Sequence, residues 1–368
     1  MRTLALVTEA FGGFGGIAKF NRDFLRALCS RKDCDEVVTI PRILSNAPEG
    51  LPPRLTYVTE GINSVLKYIF TAVKKSFSGP KFDLIFCGHI HLLPLAWVLR
   101  LFMKAPILLA FYGIDAWQPV NRWFSSFFVR HADYFIWISE FTKTKFLGWT
   151  ALKQQKGFVL HPSIHVNKYD SGSKNENLVS QWGLKGKIVL MTLGRLASVE
   201  RYKGFDEVLE ALPDLIKEIP NISYLIVGDG EDRKRLEEKA KQLGISDRVI
   251  FTGFVPELQK ADYYRLADAF VMPGRGEGFG IVYLEAMACG IPVVASKADG
   301  SREAVRNGEL GILVDPASPE EIKRGILDAL KQPRGVVPQG LDYFSYENFE
   351  KRVHAILDQI VPRRSKVL

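Results

Sequence analysis

The chain has 368 residues, of which 47% are hydrophobic and 24% are charged, with a formal net charge of +8. This length favours two domains, and the composition is that of a globular protein rather than a disordered one. The most apolar segment, residues 92–111, is interrupted by Pro94, Arg100, Lys104 and Pro106, so it does not predict a membrane-spanning helix.

The excess positive charge lies in the first part of the chain. Residues 1–165 contain 20 Lys/Arg and 11 Asp/Glu, a net charge of +9, whereas the remainder has a net charge of −1. Such a bias fits an anionic partner, either a phosphate or a membrane surface, and solubility alone is the plainer explanation. The four cysteines form no CxxC pair, which favours a reduced cytoplasmic protein without a zinc site.

Short apolar strands alternate with helical patterns along the whole chain. In the first part the strands are TLALVTEAF, DEVVTI, FDLIFCG, PILLAFYG and DYFIWIS. A polar segment near 160–185 separates them from a second series: KIVLMTLG, ISYLIVGDG, RVIFTGFV, AFVMPG, IPVVAS and GILVD. This alternation predicts an α/β protein with two Rossmann-like domains built on parallel sheets.

Helices separate the strands of the second series. Residues 205–218 are expected to form one helix, and residues 231–244 a charged helix that ends at Gly244. Further helices are expected to start near Leu258, Gly280 and Pro319, and an amphipathic helix closes the chain.

The segment EAFGGFGGIAKF contains Gly13-x-Gly15-x-x-Ala18 between a strand and a helix. This spacing is that of a dinucleotide-binding loop and makes an NAD-dependent oxidoreductase one hypothesis. That motif needs an acidic residue at the end of the second strand to bind the ribose, but Pro41-Arg42 stands there.

The segment PGRGEGFGIVYLEAMACGIPVVAS, residues 273–296, places a glycine-rich loop between a strand and a helix. The free amides at such a helix start suit a phosphate group, and we expect them at Phe279, Gly280 and Ile281. Glu277 and Glu285 are expected to face the same crevice, where carboxylates can accept hydrogen bonds from sugar hydroxyls.

Two cations lie near the end of another strand. Arg195 follows Gly194, and Lys203-Gly204 opens the next helix. A guanidinium and an ammonium together suit a diphosphate, although each alone would be an ordinary surface charge.

With these motifs, the sequence resembles the retaining glycosyltransferases of family 4, the group 1 glycosyltransferases, which have the GT-B fold. The resemblance rests on Glu277-x7-Glu285 with the upstream GR and YKG, and on VGDGEDRKRLE, VIFTGFVP and LGILVDPASPEEI in the same order. It implies two Rossmann-like domains that face each other across a cleft, with the last helix crossing back to the first domain. The expected domains are residues 1–165 with about 345–368, which bind the acceptor, and 166–344, which bind the nucleotide sugar.

The resemblance also implies a chemistry. A sugar would pass from a UDP- or GDP-linked donor to a glycan or lipid-linked acceptor, with retention of anomeric configuration, in polysaccharide or glycoconjugate biosynthesis. No metal or other cofactor is implied, because Arg195 and Lys203 would hold the diphosphate and stabilise the leaving group. Glu277 would bind the hydroxyls of the sugar ring.

Further positions follow from the same resemblance. The implied donor-binding residues are Glu285 at the ribose, the backbone at Phe279, Gly280 and Ile281, Val255 beside the base, and Gly15 and Gly16. Asp229 and Glu303 are weaker candidates. On the acceptor side, Tyr112 stands where the family commonly has histidine, and it is a packed aromatic residue in the alternative interpretation.

Asp115 and His91 complete the acceptor-side candidates. In one interpretation, Asp115 is a general base that takes the proton from the substrate that accepts the sugar. In the alternative interpretation, it is the N-cap of a helix. His89 and His91 have no third ligand nearby, so they do not predict a metal site, and His91 is expected to line the crevice.

Two segments bear on membranes. Residues 62–79 are amphipathic and basic, and residues 123–130 are rich in aromatic residues beside Arg122. They indicate peripheral attachment to an anionic inner membrane face, although a helix packed on a domain core would show the same periodicity. No nucleic-acid partner is expected. A protein that binds sugar nucleotides without catalysis is a third functional hypothesis.

Overall fold

A computed structural model describes residues 1–118, 127–150, 152 and 157–361. The chain forms two compact units. Residues 1–163 and the C-terminal helix make up the N-terminal unit, and Ile164–Ser345 make up the C-terminal unit.

The N-terminal unit contains a parallel sheet whose seven strands, within the described residues, have the order β3-β2-β1-β4-β5-β6-β7. The strands are β1 Arg2–Val7, β2 Glu36–Pro41, β3 Leu55–Tyr57, β4 Leu84–Cys87, β5 Ile107–Phe111, β6 Tyr134–Trp137 and β7 Gly157–Val159. The central strands β1, β4 and β5 are buried along their whole length, as expected for a sheet covered on both faces.

Helices cover both faces of this sheet. Those with both ends within the described residues are α1 Gly15–Ser30, α2 Val65–Ser76, α3 Leu93–Met103, α4 Ile114–Trp117, α5 Glu140–Trp149 and α13 Tyr346–Ile360. The direction of the crossovers reverses between β1 and β4, so right-handed connections place α2 and α3 on one face and α1 on the other. Helix α13 packs on α1, where Phe349 meets Phe20 edge to face at 5.6 Å.

The C-terminal unit has a second parallel sheet with the order β10-β9-β8-β11-β12-β13. Its strands are β8 Ile188–Leu193, β9 Ile222–Val227, β10 Val249–Phe251, β11 Ala269–Val271, β12 Val293–Ser296 and β13 Ile312–Val314. Its helices are α6 Glu176–Gln181, α7 Phe205–Glu218, α8 Arg233–Gln242, α9 Lys260–Leu266, α10 Ile281–Ala288, α11 Ser301–Ala304 and α12 Pro319–Leu330.

Helix ends differ slightly from the expected positions. Helix α8 stops at Gln242, because Gly244 at φ +70° belongs to the turn beyond it. The helix expected near Leu258 begins at Lys260, after a single 3₁₀ turn over Glu257–Gln259. Helix α12 starts at Pro319, where the Ser318 side chain accepts a hydrogen bond from the Glu321 amide.

Candidate functional site

The loops after β8 and β11 form the centre of the site in the C-terminal unit. These strands are neighbours, and the order of strands reverses between them. In open parallel sheets, ligands bind at the carboxyl ends of the strands where the order reverses. Residues 194–204 follow β8, and residues 272–280 follow β11.

Glu200 joins the two predicted cations. Its carboxylate accepts hydrogen bonds from the Arg195 guanidinium and lies 3.0 Å from the Lys203 ammonium. Burial disfavours the charge of Glu200, but its bonds to Arg195 and Lys203 outweigh this effect, so the pKa of Glu200 is lowered. The Arg195 side chain is 69% exposed and that of Lys203 only 18% exposed. The structure therefore brings the two cations together around an anion that the sequence analysis missed.

Backbone packing brings this loop against the glycine-rich loop. Gly204 has φ +88°, and a Cβ atom there would lie 2.8 Å from Pro273. The Arg275 amide donates a hydrogen bond to the Tyr202 carbonyl at 2.7 Å. This close approach places the charge of Lys203 near Glu277. Burial raises the pKa of Glu277, and the Lys203 ammonium opposes that rise.

The carboxylate of Asp299 binds the backbone of the glycine-rich loop. This fully buried residue accepts a hydrogen bond from the Glu277 amide at 2.8 Å through Oδ2. Its Oδ1 accepts the hydroxyl and amide of Ser301 at 2.6 and 3.0 Å. Burial raises the pKa of Asp299 in spite of these bonds. The backbone at Glu277 is thus fixed by a carboxylate that lies 22 residues further along the chain.

Helix α10 begins directly after this loop. Gly280 precedes it at φ +86°, and a Cβ atom there would lie 2.5 Å from the Tyr283 ring. The first amides of a helix have no partner inside the helix, so those at Gly280 and Ile281 are suited to an anion. The Phe279 side chain is buried against Phe344, with ring centroids 5.5 Å apart, so Phe279 can contribute only backbone.

Glu285 lies in the second turn of α10, beside α9. Its buried carboxylate accepts the Tyr264 hydroxyl at 2.9 Å and lies 4.0 Å from the Lys260 ammonium. The Tyr169 hydroxyl is also bonded to Glu285. No motif in the sequence indicates these two tyrosines as partners of Glu285, because they are distant from it along the chain.

The remaining candidates of this unit lie in two other loops and in a short helix. Val255 is buried in the loop after β10. Asp229 accepts the Gly230 amide at 2.9 Å through Oδ1. Glu303 is buried in the short helix α11.

In the N-terminal unit, Gly15 and Gly16 form the exposed start of α1. Gly15 has φ +81°, which favours glycine, and a Cβ atom there would meet open space. The N-cap residue, Phe14, has no side-chain group that makes a capping hydrogen bond to this end of α1. At the end of β2, where a dinucleotide-binding fold needs an acid, Pro41 is followed by Arg42.

Tyr112 is a buried, packed aromatic residue at the end of β5. Its hydroxyl donates to Asn21 Oδ1 at 2.6 Å, and its ring meets Phe20 edge to face at 5.5 Å. Asn21 in turn donates to the Glu9 carbonyl at 2.8 Å. Asn21 is 91 residues from Tyr112, and no sequence motif indicates this pair.

Asp115 lies within the short helix α4, not at its cap position. Its carboxylate accepts the Tyr112 amide at 3.0 and 3.2 Å. Burial raises the pKa of Asp115 to about 7, against the effect of the surrounding backbone amides. A carboxyl group with this pKa is suited to accept a proton near neutral pH.

His89 and His91 stand side by side after β4, with ring centroids 4.8 Å apart. The His91 amide donates to Nδ1 of His89 at 3.2 Å, and burial lowers the pKa of His89 to about 4. Within the ranges described above, no three His, Cys, Asp or Glu side chains are grouped so that they could hold a metal ion.

The amphipathic segment at 62–79 contains α2, whose apolar side chains Leu66 and Phe70 are exposed. Of the aromatic segment at 123–130, residues 123–126 lie outside the described residues, as does Arg122. None of the described helices has the length and apolar character needed to cross a bilayer.

Comparison with known proteins gives a family for the C-terminal unit. Residues 174–345 match the model of the family described as glycosyl transferases group 1. This match spans the loops that contain Arg195, Lys203, Glu277 and Glu285. It gives no support to the oxidoreductase hypothesis.

Two curated relatives are similar to part of the chain. A GDP-mannose-dependent alpha-(1-6)-phosphatidylinositol monomannoside mannosyltransferase of Mycolicibacterium smegmatis is 32% identical over 60% of this chain and 59% of its own length. Mannosylfructose-phosphate synthase of Agrobacterium fabrum is 30% identical over 50% of this chain and 42% of its own. The chain thus matches less than two thirds of the length of either relative.

Solved structures match the whole chain in fold. Anabaena HepE, crystallised with UDP and glucose, superposes with a TM-score of 0.75 at 20% identity, over 97% of this chain and 99% of HepE. Together with the two parallel sheets, this likeness confirms the predicted GT-B fold. The C-terminal unit therefore matches the group 1 glycosyl transferases in sequence, and the chain as a whole has the GT-B fold.

Proposed function

We propose that the protein is a retaining glycosyltransferase that transfers a sugar from a UDP- or GDP-linked donor to a glycan or lipid-linked acceptor without a metal ion. The observation that carries this proposal is the cluster of Arg195, Lys203 and Glu277 at the carboxyl ends of β8 and β11. The mannosyltransferase relative is named for a GDP-linked donor and HepE was crystallised with UDP, so both bases stay in the proposal.

In this proposal the two cations bind the diphosphate. Cleavage of the bond between the sugar and the diphosphate leaves additional negative charge on the phosphate oxygens. The Lys203 ammonium and the Arg195 guanidinium would stabilise that charge, together with the amides at Phe279, Gly280 and Ile281. Before the donor binds, Glu200 forms ion pairs with both Arg195 and Lys203. The diphosphate must therefore replace Glu200 as the partner of these two cations.

Carboxylates would orient the rest of the donor. Glu277, with its backbone held by Asp299, would bind the hydroxyls of the sugar ring. Glu285 would bind the ribose, and the backbone at Val255 would contact the base. The acceptor would attack from the face that the nucleotide leaves, which retains the anomeric configuration. Gly15 and Gly16 would let backbone approach the donor phosphates or the acceptor.

Donor screening tests this function. Thermal-shift measurements with UDP, GDP, ADP and NAD identify the nucleotide, and nucleotide release from UDP- and GDP-sugars measures turnover. We expect stabilisation by UDP or GDP, and turnover that persists after EDTA treatment. Stabilisation by NAD alone, or turnover that requires an added divalent cation, would contradict the proposal.

Variants distinguish catalysis from simple binding. Lys203→Ala and Glu277→Ala should abolish turnover and keep a cooperative unfolding transition, whereas Lys331→Ala, at an exposed lysine, should keep full activity. Full activity in either of the first two variants would refute the site. Binding of a sugar nucleotide with no turnover by the parent protein, tested with glycan and lipid-linked acceptors, would favour the non-catalytic alternative.

Peripheral attachment to the inner face of the cytoplasmic membrane is part of the proposal. Helix α2 presents Leu66 and Phe70, which are 79% and 69% exposed, beside Lys67 and Lys74. Apolar side chains flanked by lysines suit an anionic bilayer. Sedimentation with anionic and neutral vesicles tests this attachment. If the protein binds neither vesicle type, or binds both equally, the proposed attachment to an anionic membrane is wrong.

A further inference from the structure

We propose that a cavity between α2 and α3 binds the lipid chain of an acceptor whose anionic headgroup is held by Arg42. This inference rests on the proposed glycosyltransferase function and narrows its acceptor to an anionic amphiphile. The cavity lies wholly within the N-terminal unit and has a volume of about 840 Å³. That volume lies within the usual range of small-molecule sites.

The cavity lies beyond the carboxyl ends of β1 and β2. Thr8 follows β1, Arg42 follows β2, and His91 lies in the turn before α3. This is the edge of the sheet at which ligands of such folds bind. The Tyr68 side chain, whose hydroxyl donates to the Ile40 carbonyl at 3.1 Å, also contributes to the wall.

Most of the lining is apolar and comes from the two helices. Val65, Ile69 and Val73 recur every four residues and therefore form one stripe along α2. The apolar residues of the opposite wall are Leu92, Pro94, Leu95 and Val98, in and just before α3. A purely hydrophilic acceptor would gain little from contact with two aliphatic stripes. An alkyl or prenyl chain that lies between them would be removed from water, which is favourable.

The polar end of the cavity is positively charged. Arg42 lines it and makes no ion pair with any residue in the described ranges. No Asp or Glu lines the cavity, and α2 and α3 contain no acidic residue. The other arginine nearby, Arg100 of α3, is already paired with Asp133 at 2.7 Å. Arg42 is therefore the guanidinium available to an anionic headgroup such as a phosphate.

The apolar wall continues onto an exposed surface. Val65, Ile69 and Val98 are partly exposed members of the lining. Leu66, Phe70, Phe77, Leu101 and Phe102, in or just after the same two helices, are also exposed. The ring of Phe77, just after α2, packs on the ring of Phe102 in α3, with centroids 5.8 Å apart. We expect a lipid chain to enter the cavity from this side.

Binding of decyl phosphate tests the site. Decyl phosphate, decanol and inorganic phosphate are titrated by calorimetry below the micelle concentration of the amphiphile, at fixed ionic strength. We expect decyl phosphate to bind about tenfold more tightly than decanol, because a bond to a charged group contributes about one order of magnitude in affinity. Inorganic phosphate alone should bind more weakly than either. Equal affinities for decyl phosphate and decanol would overturn the role of a charged headgroup.

Matched variants locate the ligand. Val98→Trp narrows the cavity and should weaken decyl phosphate binding at least about tenfold, whereas Leu101→Trp, on the same helix but outside the lining, should not. Arg42→Gln should reduce the affinity for decyl phosphate to that for decanol, and Arg324→Gln in the C-terminal unit should leave it unchanged. Equal effects of the two tryptophan variants, or no effect of Arg42→Gln, would overturn the inference.

Donor turnover separates this inference from the proposed function. Nucleotide release and stabilisation by UDP or GDP are measured on the same variants. Normal donor turnover in a protein that does not bind decyl phosphate would overturn the lipid site and leave the proposed function intact. With lipid-linked and free glycan acceptors, Val98→Trp should reduce transfer to the lipid-linked acceptor selectively.

Discussion

The carboxylate of Glu200 lies 3.0 Å from the ammonium of Lys203 and also binds Arg195. The two cations that we assign to the diphosphate therefore share an anionic partner within the same loop. Glu200 lies five residues after Arg195 and three residues before Lys203. A carboxylate in this position lowers the positive potential that a diphosphate encounters.

Removal of that charge should strengthen nucleotide binding. In Glu200→Gln, UDP or GDP no longer competes with a carboxylate, and we expect its affinity to rise about three- to tenfold, as measured by calorimetry. Glu309→Gln, at an exposed carboxylate of the same unit, is the control. Weaker nucleotide binding in Glu200→Gln would show that Glu200 serves mainly to hold the cations in place.

Loss of the Asp299 carboxylate should release the glycine-rich loop. Asp299→Ala leaves the Glu277 amide and Ser301 without their buried acceptor, which should cost about 1–3 kcal/mol in the free energy of unfolding. We also expect kcat to fall, because Glu277 is no longer fixed. Denaturant unfolding and turnover below the transition measure the two effects. A folded Asp299→Ala protein with normal kcat would contradict the assigned positioning role.

Two glycines with positive φ should respond differently to the same substitution. Gly280→Ala and Gly244→Ala both force alanine into the left-handed region, which costs about 1–2 kcal/mol. Gly244 has open space around a Cβ atom, whereas a Cβ at Gly280 would lie 2.5 Å from the Tyr283 ring. We therefore expect a clearly larger loss of stability for Gly280→Ala in denaturant titrations. Equal losses would indicate that the start of α10 adjusts at no cost.

Asp115 should make stability depend on pH. Its folded pKa of about 7 lies above the ordinary value of 3.8, so protonation favours the folded state. Its contribution to stability is fully present below about pH 4 and declines until the pH passes 7. In Asp115→Asn this decline is absent, so the variant should gain stability relative to the parent between pH 4 and 7. Parallel curves of unfolding free energy against pH would contradict the raised pKa.

Regular alternation of apolar and helical segments was sufficient to predict both sheets and the fold class. The strands β3 and β7 were missed, because each has three residues and no buried apolar run that marks a strand. The order of the strands depends on crossovers between distant segments, so the position of α2 and α3 on one face could not be derived from local patterns.

Some residues of the candidate site could be predicted from the sequence, and others could not. Arg195, Lys203 and Glu277 occur at strand ends in recognisable motifs, and the structure brings them together. Glu200 and Asp299 look like ordinary surface carboxylates in the sequence, since only folding buries them between loops. The partnership of Tyr112 with Asn21 depends on packing across 91 residues, and no local pattern encodes it.

The C-terminal helix has a consequence for biosynthesis. Arg31 at the end of α1 pairs with Asp358 of α13 at 3.0 Å, and Phe20 of α1 packs on Phe349. Residues 1–163 therefore cannot bury this surface until residues 346–360 have been synthesised, while Ile164–Ser345 can fold in between. A chain truncated after residue 345 has all residues of the C-terminal unit but leaves Phe20 uncovered in the N-terminal unit, and chaperones and proteases recognise such exposed apolar surface.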